Sequence, residues 1–299
     1  MIERIVVPLD GSLTAEAILP QVRRLLYRHD SEVILVRAVI PSMAENAIMV
    51  AEAELAAARG YMHGQMDRLE KGGVRTKIVV RIGSPVGVIL DVVEEQGATM
   101  IALATHGATG LKRLLFGSVA EALVRKSPVP VLLVRPFWSY EIAAPVRPEH
   151  APVRNVLLAV DGSDLALEAV PGVIEIAELF DARVVLLRVL EGKKAEAAGE
   201  KAEAEKQLKA IAKAIERKGV ETLSLIERGE PVEEILKALR FHEAELLAMA
   251  THGRSGLTRA VTGSVTEEVL RRATVPLLVA GHPRGAKKAK GLRTVKSGK

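Results

Sequence analysis

The chain is written twice, and that constrains its fold more than any other feature. "ATHGATGLKRLLFGS" at 104–118 returns as "ATHGRSGLTRAVTGS" at 250–264. "IVVPLDGSLTAEAILP" from Ile5 returns as "VLLAVDGSDLALEAVP" from Val156, and "EVILVRAVI" from Glu32 as "RVVLLRVLE" from Arg183. "GSPVGVIL" from Gly83 matches "GEPVEEIL" from Gly229, and "SPVPVLLV" from Ser127 matches "ATVPLLVA" from Ala273. The matches come in the same order in both halves, with a five-residue deletion in the second. A unit of about 140 residues is a duplicated domain and not a solenoid turn. Between the copies lies "FWSYEIAAPVRPEHAP", with three prolines and three of the chain's eight aromatic residues. The expected organisation is a first domain at 1–137, a linker at 138–152, a second domain at 153–281 and a tail at 282–299.

Within each copy, short Val/Ile/Leu runs alternate with helical patterns. In the first, Ile5–Leu9, Val33–Val39, Thr76–Ile82, Met100–Ala104 and Val129–Val134 read as strands that are apolar nearly throughout, as parallel strands covered on both faces are. Between them, Ile18, Val22, Leu25 and Leu26 share one helical face, as do Val86, Ile89, Leu90 and Val93. Strict βα alternation predicts an α/β fold: two tandem doubly wound, five-stranded parallel sheets of order 3-2-1-4-5. Pro20 and Pro171 hold the same place in the first helical stretch of each copy, where a proline kinks a helix or delays its start.

Composition narrows the function. The chain has no cysteine, which excludes disulfide staples, thiolate zinc sites and thiol nucleophiles. Aromatics at 3% argue against a base-stacking surface for single-stranded nucleic acid. The net charge of +5 is concentrated in "PRGAKKAKGLRTVKSGK", which holds seven Lys and Arg and no acid, so the rest of the chain is slightly acidic. A basic segment without periodicity reads as a solvated, disordered tail, and nucleic-acid contact is expected only there, if anywhere. Glu3 and Arg4 interrupt what would be a signal peptide's apolar stretch, and no apolar run approaches the roughly 18 residues of a membrane span. The expectation is a cytoplasmic protein without membrane contact.

In an open α/β sheet, ligands bind beyond the carboxyl ends of the strands where strand order reverses. With order 3-2-1-4-5 the reversal falls between the first and fourth strands. Asp10 follows the first and "ATHG" closes the fourth; Asp161 and the second "ATHG" take those places in the other copy. The loop chemistry suits phosphate. Gly107 allows close approach of backbone N–H groups, and Gly117 and Ser118 stand at the entry to the next helix, whose unpaired N–H groups favour anions. Ser118 can alternatively act as a simple N-cap.

Taken together, "DGS" after strand one, "GSP" or "GEP" after strand three, and "ATHG" followed by nine residues and "GS" resemble the universal stress protein family, over essentially the whole chain up to the tail. The resemblance implies two tandem family domains that bind ATP, or AMP or ADP, with Mg²⁺ arriving on the nucleotide. It assigns the adenosine to Asp10 and Ala38 and the phosphates to Gly107, Gly117 and Ser118. In the second copy the corresponding residues are Asp161, Val189, Gly253, Gly263 and Ser264. The family's first motif glycine is replaced by Ala104 and Ala250, a departure that bears on affinity. The implied role is a stress-response binding or signalling module. Two other classes stay open: an interaction protein with a degenerate site, and a slow adenine-nucleotide hydrolase. His106 and His252 would be the candidate bases for hydrolysis, but neither copy shows a Walker lysine or an acidic metal-ligand pair beside the loop. Family members commonly pair through strand five, so the two domains are expected to pair with each other about a pseudo-two-fold, with a further homodimer open.

Overall fold

The structure, a computed structural model, describes residues 2–26, 30–40, 47–105, 117–135, 153–163, 167, 169–191, 198–250 and 264–280. The first half runs β1 (Arg4–Pro8), α1 (Leu13–Glu16), α2 (Leu19–Leu26), β2 (Glu32–Val39), α3 (Ala47–Lys71), β3 (Arg75–Ile82), α4 (Pro85–Glu95), β4 (Met100–Ala104), α5 (Ser118–Lys126) and β5 (Val131–Val134). The second repeats it: β6 (Asn155–Val160), α6 (Val170–Phe180), β7 (Arg183–Leu190), α7 (Ala198–Glu216), β8 (Thr222–Arg228), α8 (Pro231–Phe241), β9 (Leu246–Met249), α9 (Ser264–Arg272) and β10 (Leu277–Val279).

Local chemistry sets the helix starts. Ser12 caps α1 by accepting from the Ala15 N–H. Ser84 caps α4 by accepting from Gly87, with Pro85 inside the first turn; Glu230 does the same for α8, accepting from Glu233, with Pro231 following. The repeated "GSP" and "GEP" are thus one capping device with two different acceptors. Pro20 and Pro171 delay helices and do not kink them. Each falls in the opening turn of its helix, α2 and α6, where a missing N–H costs nothing.

The strands form one ten-stranded sheet, in the order β3-β2-β1-β4-β5-β10-β9-β6-β7-β8. Each half is parallel with the expected 3-2-1-4-5 order, and the halves join where β5 and β10 run antiparallel. The register there pairs Leu133 with Leu277, Leu132 with Leu278 and Val131 with Val279. Leu132 and Leu278 are also equivalent positions of the repeat. The pseudo-two-fold therefore passes through that pair, perpendicular to the sheet, and exchanges the other two pairs.

Joining at β5 removes the edge that would otherwise expose an all-apolar strand, since β5 and β10 are buried throughout. The remaining edges are β3 and β8, which carry Arg75, Lys77 and Arg81 on one side and Glu227 and Arg228 on the other. An axis perpendicular to the sheet keeps faces together. One core places α2 and α3 with α6 and α7, against inward residues such as Ile5, Leu35, Leu158 and Leu186. The opposite core places α4 and α5 with α8 and α9, against Val6, Ile34, Leu157 and Leu187. Each core runs through both halves.

Candidate functional site

Strand order reverses between β1 and β4 in the first half and between β6 and β9 in the second. Because the halves are antiparallel, the two crevices open at opposite ends of the sheet. At the first, the adjacent strands β2, β1 and β4 bring together Ala38, Asp10 and Ala104, the last closing β4. At the second, β7, β6 and β9 bring together Val189, Asp161 and Ala250. The Val189 side chain is buried in the core, so it offers a ligand backbone only.

Both aspartates sit in the same turn. Asp10 Oδ1 accepts from the Ser12 N–H at 2.9 Å and from the Ser12 hydroxyl at 2.5 Å. Asp161 Oδ1 accepts from the Ser163 N–H at 2.9 Å and its hydroxyl at 2.6 Å. One carboxylate oxygen is thus committed to holding the loop. The other oxygen of Asp161, Oδ2, is buried without a hydrogen-bond partner among the described residues. A buried acceptor in that state costs stability unless something donates to it.

Beneath each turn lies an arginine that the sequence reading passed over. Arg37 on β2 donates through Nη1 to the Leu9 carbonyl at 3.4 Å, and Arg188 on β7 donates to the Val160 carbonyl at the same distance. Gly11 and Gly162, both at positive φ, lie over these guanidiniums. The signal was available: "VRAV" and "LRVL" place an arginine at the same point of two otherwise apolar strands. A charge kept inside a buried run is the informative exception.

In the first half the wall behind the turn is polar. Glu16 on α1 accepts from the Tyr61 hydroxyl and from Gln65 Nε2, each at 2.9 Å, both donors on α3. Burial and the neighbouring carboxylate push the Tyr61 hydroxyl's pKa well above its ordinary value. Gln65 is buried, and its Oε1 has no partner among the described residues.

At the start of α5, Gly117 stands at the N-cap with φ −59° and ψ 150°, and Ser118 is the first helical residue. This corrects the alternative reading of Ser118 as an N-cap: the N-cap of α5 is Gly117, which has no side chain to cap with, and Ser118 is exposed. Ser264 likewise opens α9, and Thr266 in its first turn ties the helix to the end of β9 by donating to the Ala250 carbonyl at 3.4 Å. Gly107, Gly253, Gly263, His106 and His252 lie outside the described residues, as do the linker and the basic tail. An open cavity of about 610 Å³ lies elsewhere, at the amino ends of β6–β8, where Arg154, Arg183 and Lys218 mix with Glu178, Asp181 and Glu221. That is the wrong end of the strands for a switch-point ligand. No group of three or more metal-ligating side chains occurs among the described residues, and none of their helices is long and apolar enough to cross a membrane.

Fold and crevices together define a tandem pair of doubly wound domains, each with an aspartate turn at its strand-order reversal. The chain belongs to the universal stress protein family, whose model matches residues 1–135 and again 152–281. A universal stress protein of Methanocaldococcus jannaschii is 34% identical over 142 residues, covering 44% of this chain and 84% of the relative. One from Mycobacterium tuberculosis strain H37Rv is 30% identical over 222 residues, 70% of each chain. Among solved structures, a universal stress protein from Archaeoglobus fulgidus superposes with a TM-score of 0.73 at 20% identity, covering 94% of this chain and 99% of its own. That likeness is one of fold.

Proposed function

We propose that the chain is an adenine-nucleotide-binding stress-response module with one site at each crevice. Asp10 and Asp161 receive the adenosine together with the strand ends at Ala38 and Val189. The glycine loops and the starts of α5 and α9 receive the phosphates, through Gly107, Gly117 and Ser118 in one half and Gly253, Gly263 and Ser264 in the other. Mg²⁺ is carried in by the phosphates. The observation that supports this most is the Asp161 carboxylate, with one oxygen fixed by Ser163 and the other buried and lacking a donor among the described residues. A sugar hydroxyl is the group that would supply one. The α5 start, whose N-cap is a glycine with no capping side chain of its own, fits an anion in the same way. Ala104 and Ala250 put a methyl where the family's pattern has none, which lowers affinity without closing the site.

The test is thermal. Protein stripped of nucleotide should gain about 2.7 kcal/mol of stability at a ligand concentration 100 times the dissociation constant, a rise of a few degrees in Tm. No shift with millimolar Mg-ATP, ADP or AMP would reject the reading in favour of an interaction protein with a degenerate site.

A further inference from the structure

From the differences between the halves we infer that the two crevices are unequal: the first is built to seat the purine base and binds ATP more tightly than the second. The inference rests on the function proposed above. The duplicated frame is kept where it holds the turn, in Asp10 with Asp161, Ser12 with Ser163 and Arg37 with Arg188. It diverges at the rim. Leu13 opens α1, Ile40 follows β2 and Ile82 ends β3, all at the carboxyl end of the first half's strands. They are 84%, 67% and 48% exposed, and make up three of the four large apolar side chains so exposed among the described residues. The repeat aligns them with Asp164, Glu191 and Arg228. Glu191 and Arg228 are exposed, and Asp164 lies outside the described residues.

The wall behind the rim has changed as well. Counting back from Gly73 and Gly219, Tyr61 aligns with Gln207 and Gln65 with Ile211, while Glu16 aligns with Leu167. In the first half, the hydrogen bonds from Tyr61 and Gln65 to Glu16 anchor α1, and Leu13 lies three residues before Glu16 on the same helix face. In the second, Ile211 is buried in the core with Leu167 packed against it. Gln207 instead reaches under the aspartate turn, where its Oε1 is 2.6 Å from a Cβ built on Gly162. The equivalent space at Gly11 meets nothing nearer than Arg37, at 3.6 Å. A flat apolar base gains contact and loses little hydration on the first rim. On the second it would have to desolvate charged side chains.

The experiment uses full-length, nucleotide-free chain with one site blocked at a time. Gly263→Val leaves the first site and Gly117→Val leaves the second; each is titrated calorimetrically with Mg-ATP and with inorganic tripolyphosphate. The expected result is an ATP Kd about tenfold or more lower at the first site, the scale of a few apolar contacts, with tripolyphosphate binding the two alike. Ile40→Glu with Ile82→Arg should erase that advantage at little cost in Tm, both positions being exposed. In the second half, Glu191→Ile with Arg228→Ile should strengthen ATP binding. Equal ATP affinities, a tighter second site, or a difference equally large with tripolyphosphate would each overturn the inference while leaving the proposed function intact. Failure of the unblocked chain to bind ATP would overturn the proposed function, and this inference with it.

Discussion

Glycine at 11 and at 162 does the same geometric job under different crowding. Both need a positive φ, +84° and +79°, which an L side chain adopts only at a cost. At Gly11 a new methyl meets Arg37 at ordinary contact distance, so Gly11→Ala should cost about 1 kcal/mol from backbone strain alone. At Gly162 it would also push aside the flexible end of Gln207 and press on the buried Arg188 at 3.3 Å, so Gly162→Ala should cost somewhat more, about 1.5 kcal/mol. Urea denaturation of the two variants checks the order. Tyr61 gives a second residue-level outcome. Its folded pKa is raised above the unfolded value of about 10, so its contribution is complete below pH 10 and is lost as pH rises further. Of the three tyrosines, one should resist ionisation in an ultraviolet titration until the chain unfolds. Tyr61→Phe should remove that late component. None of this could be read from the sequence. The Asp–Gly–Ser turns were visible, but Tyr61 meets Glu16 across 45 residues, a contact that only the packing of α3 on α1 creates.

Strands, by contrast, were legible. The expected runs match β1 to β5 to within two residues at either end, because strands covered on both faces leave an apolar record, and even the edge strand β3 keeps Ile78, Val79 and Val80 between its charged residues. The exception inside such a record, Arg37, was read as part of the run. Helix starts were harder. The prolines marked where α2 and α6 begin, but the four-residue α1 before Pro20 has no apolar period long enough to show. At α5 the glycine, not the serine, takes the N-cap, so the N-cap residue offers the first-turn N–H groups no side-chain acceptor. Gly117→Val should therefore abolish nucleotide binding in the first half by placing a side chain where phosphate must approach. Its φ of −59° is open to any residue, so far-ultraviolet circular dichroism and Tm should stay near those of the parent. Unchanged ATP stoichiometry in this variant would place the phosphates elsewhere.

For the whole molecule, the repeat together with the family's habit of pairing through strand five implied a pseudo-two-fold pair, and β5 against β10 bears that out. The sequence did not reveal that the cores would be shared. Continuity of each core across the seam depends on the axis standing perpendicular to the sheet, and no local pattern records that. Leu133 and Leu278 are 0% and 1% exposed, one in each core. Leu133→Glu with Leu278→Glu buries a carboxylate on both faces of the seam, at a cost of several kcal/mol. The expected outcome is aggregation or loss of a single cooperative melt, followed by light scattering and calorimetry. A compact, monomeric double variant with the parent Tm would show that the seam contributes little.

The axis through Leu132 and Leu278 also fixes what fusion of the two copies accomplishes. A pair of separate chains meeting at that seam would be governed by mass action, present when abundant and absent when scarce. Tethered in one chain, each half meets its counterpart at an effective concentration set by the connecting segment and not by expression level. The paired state then survives dilution. It also frees each copy from self-complementarity: in a two-chain pair a change at Val131 would alter both contacts flanking the axis at once, whereas here it alters only the contact with Val279 and leaves Leu277 against Leu133.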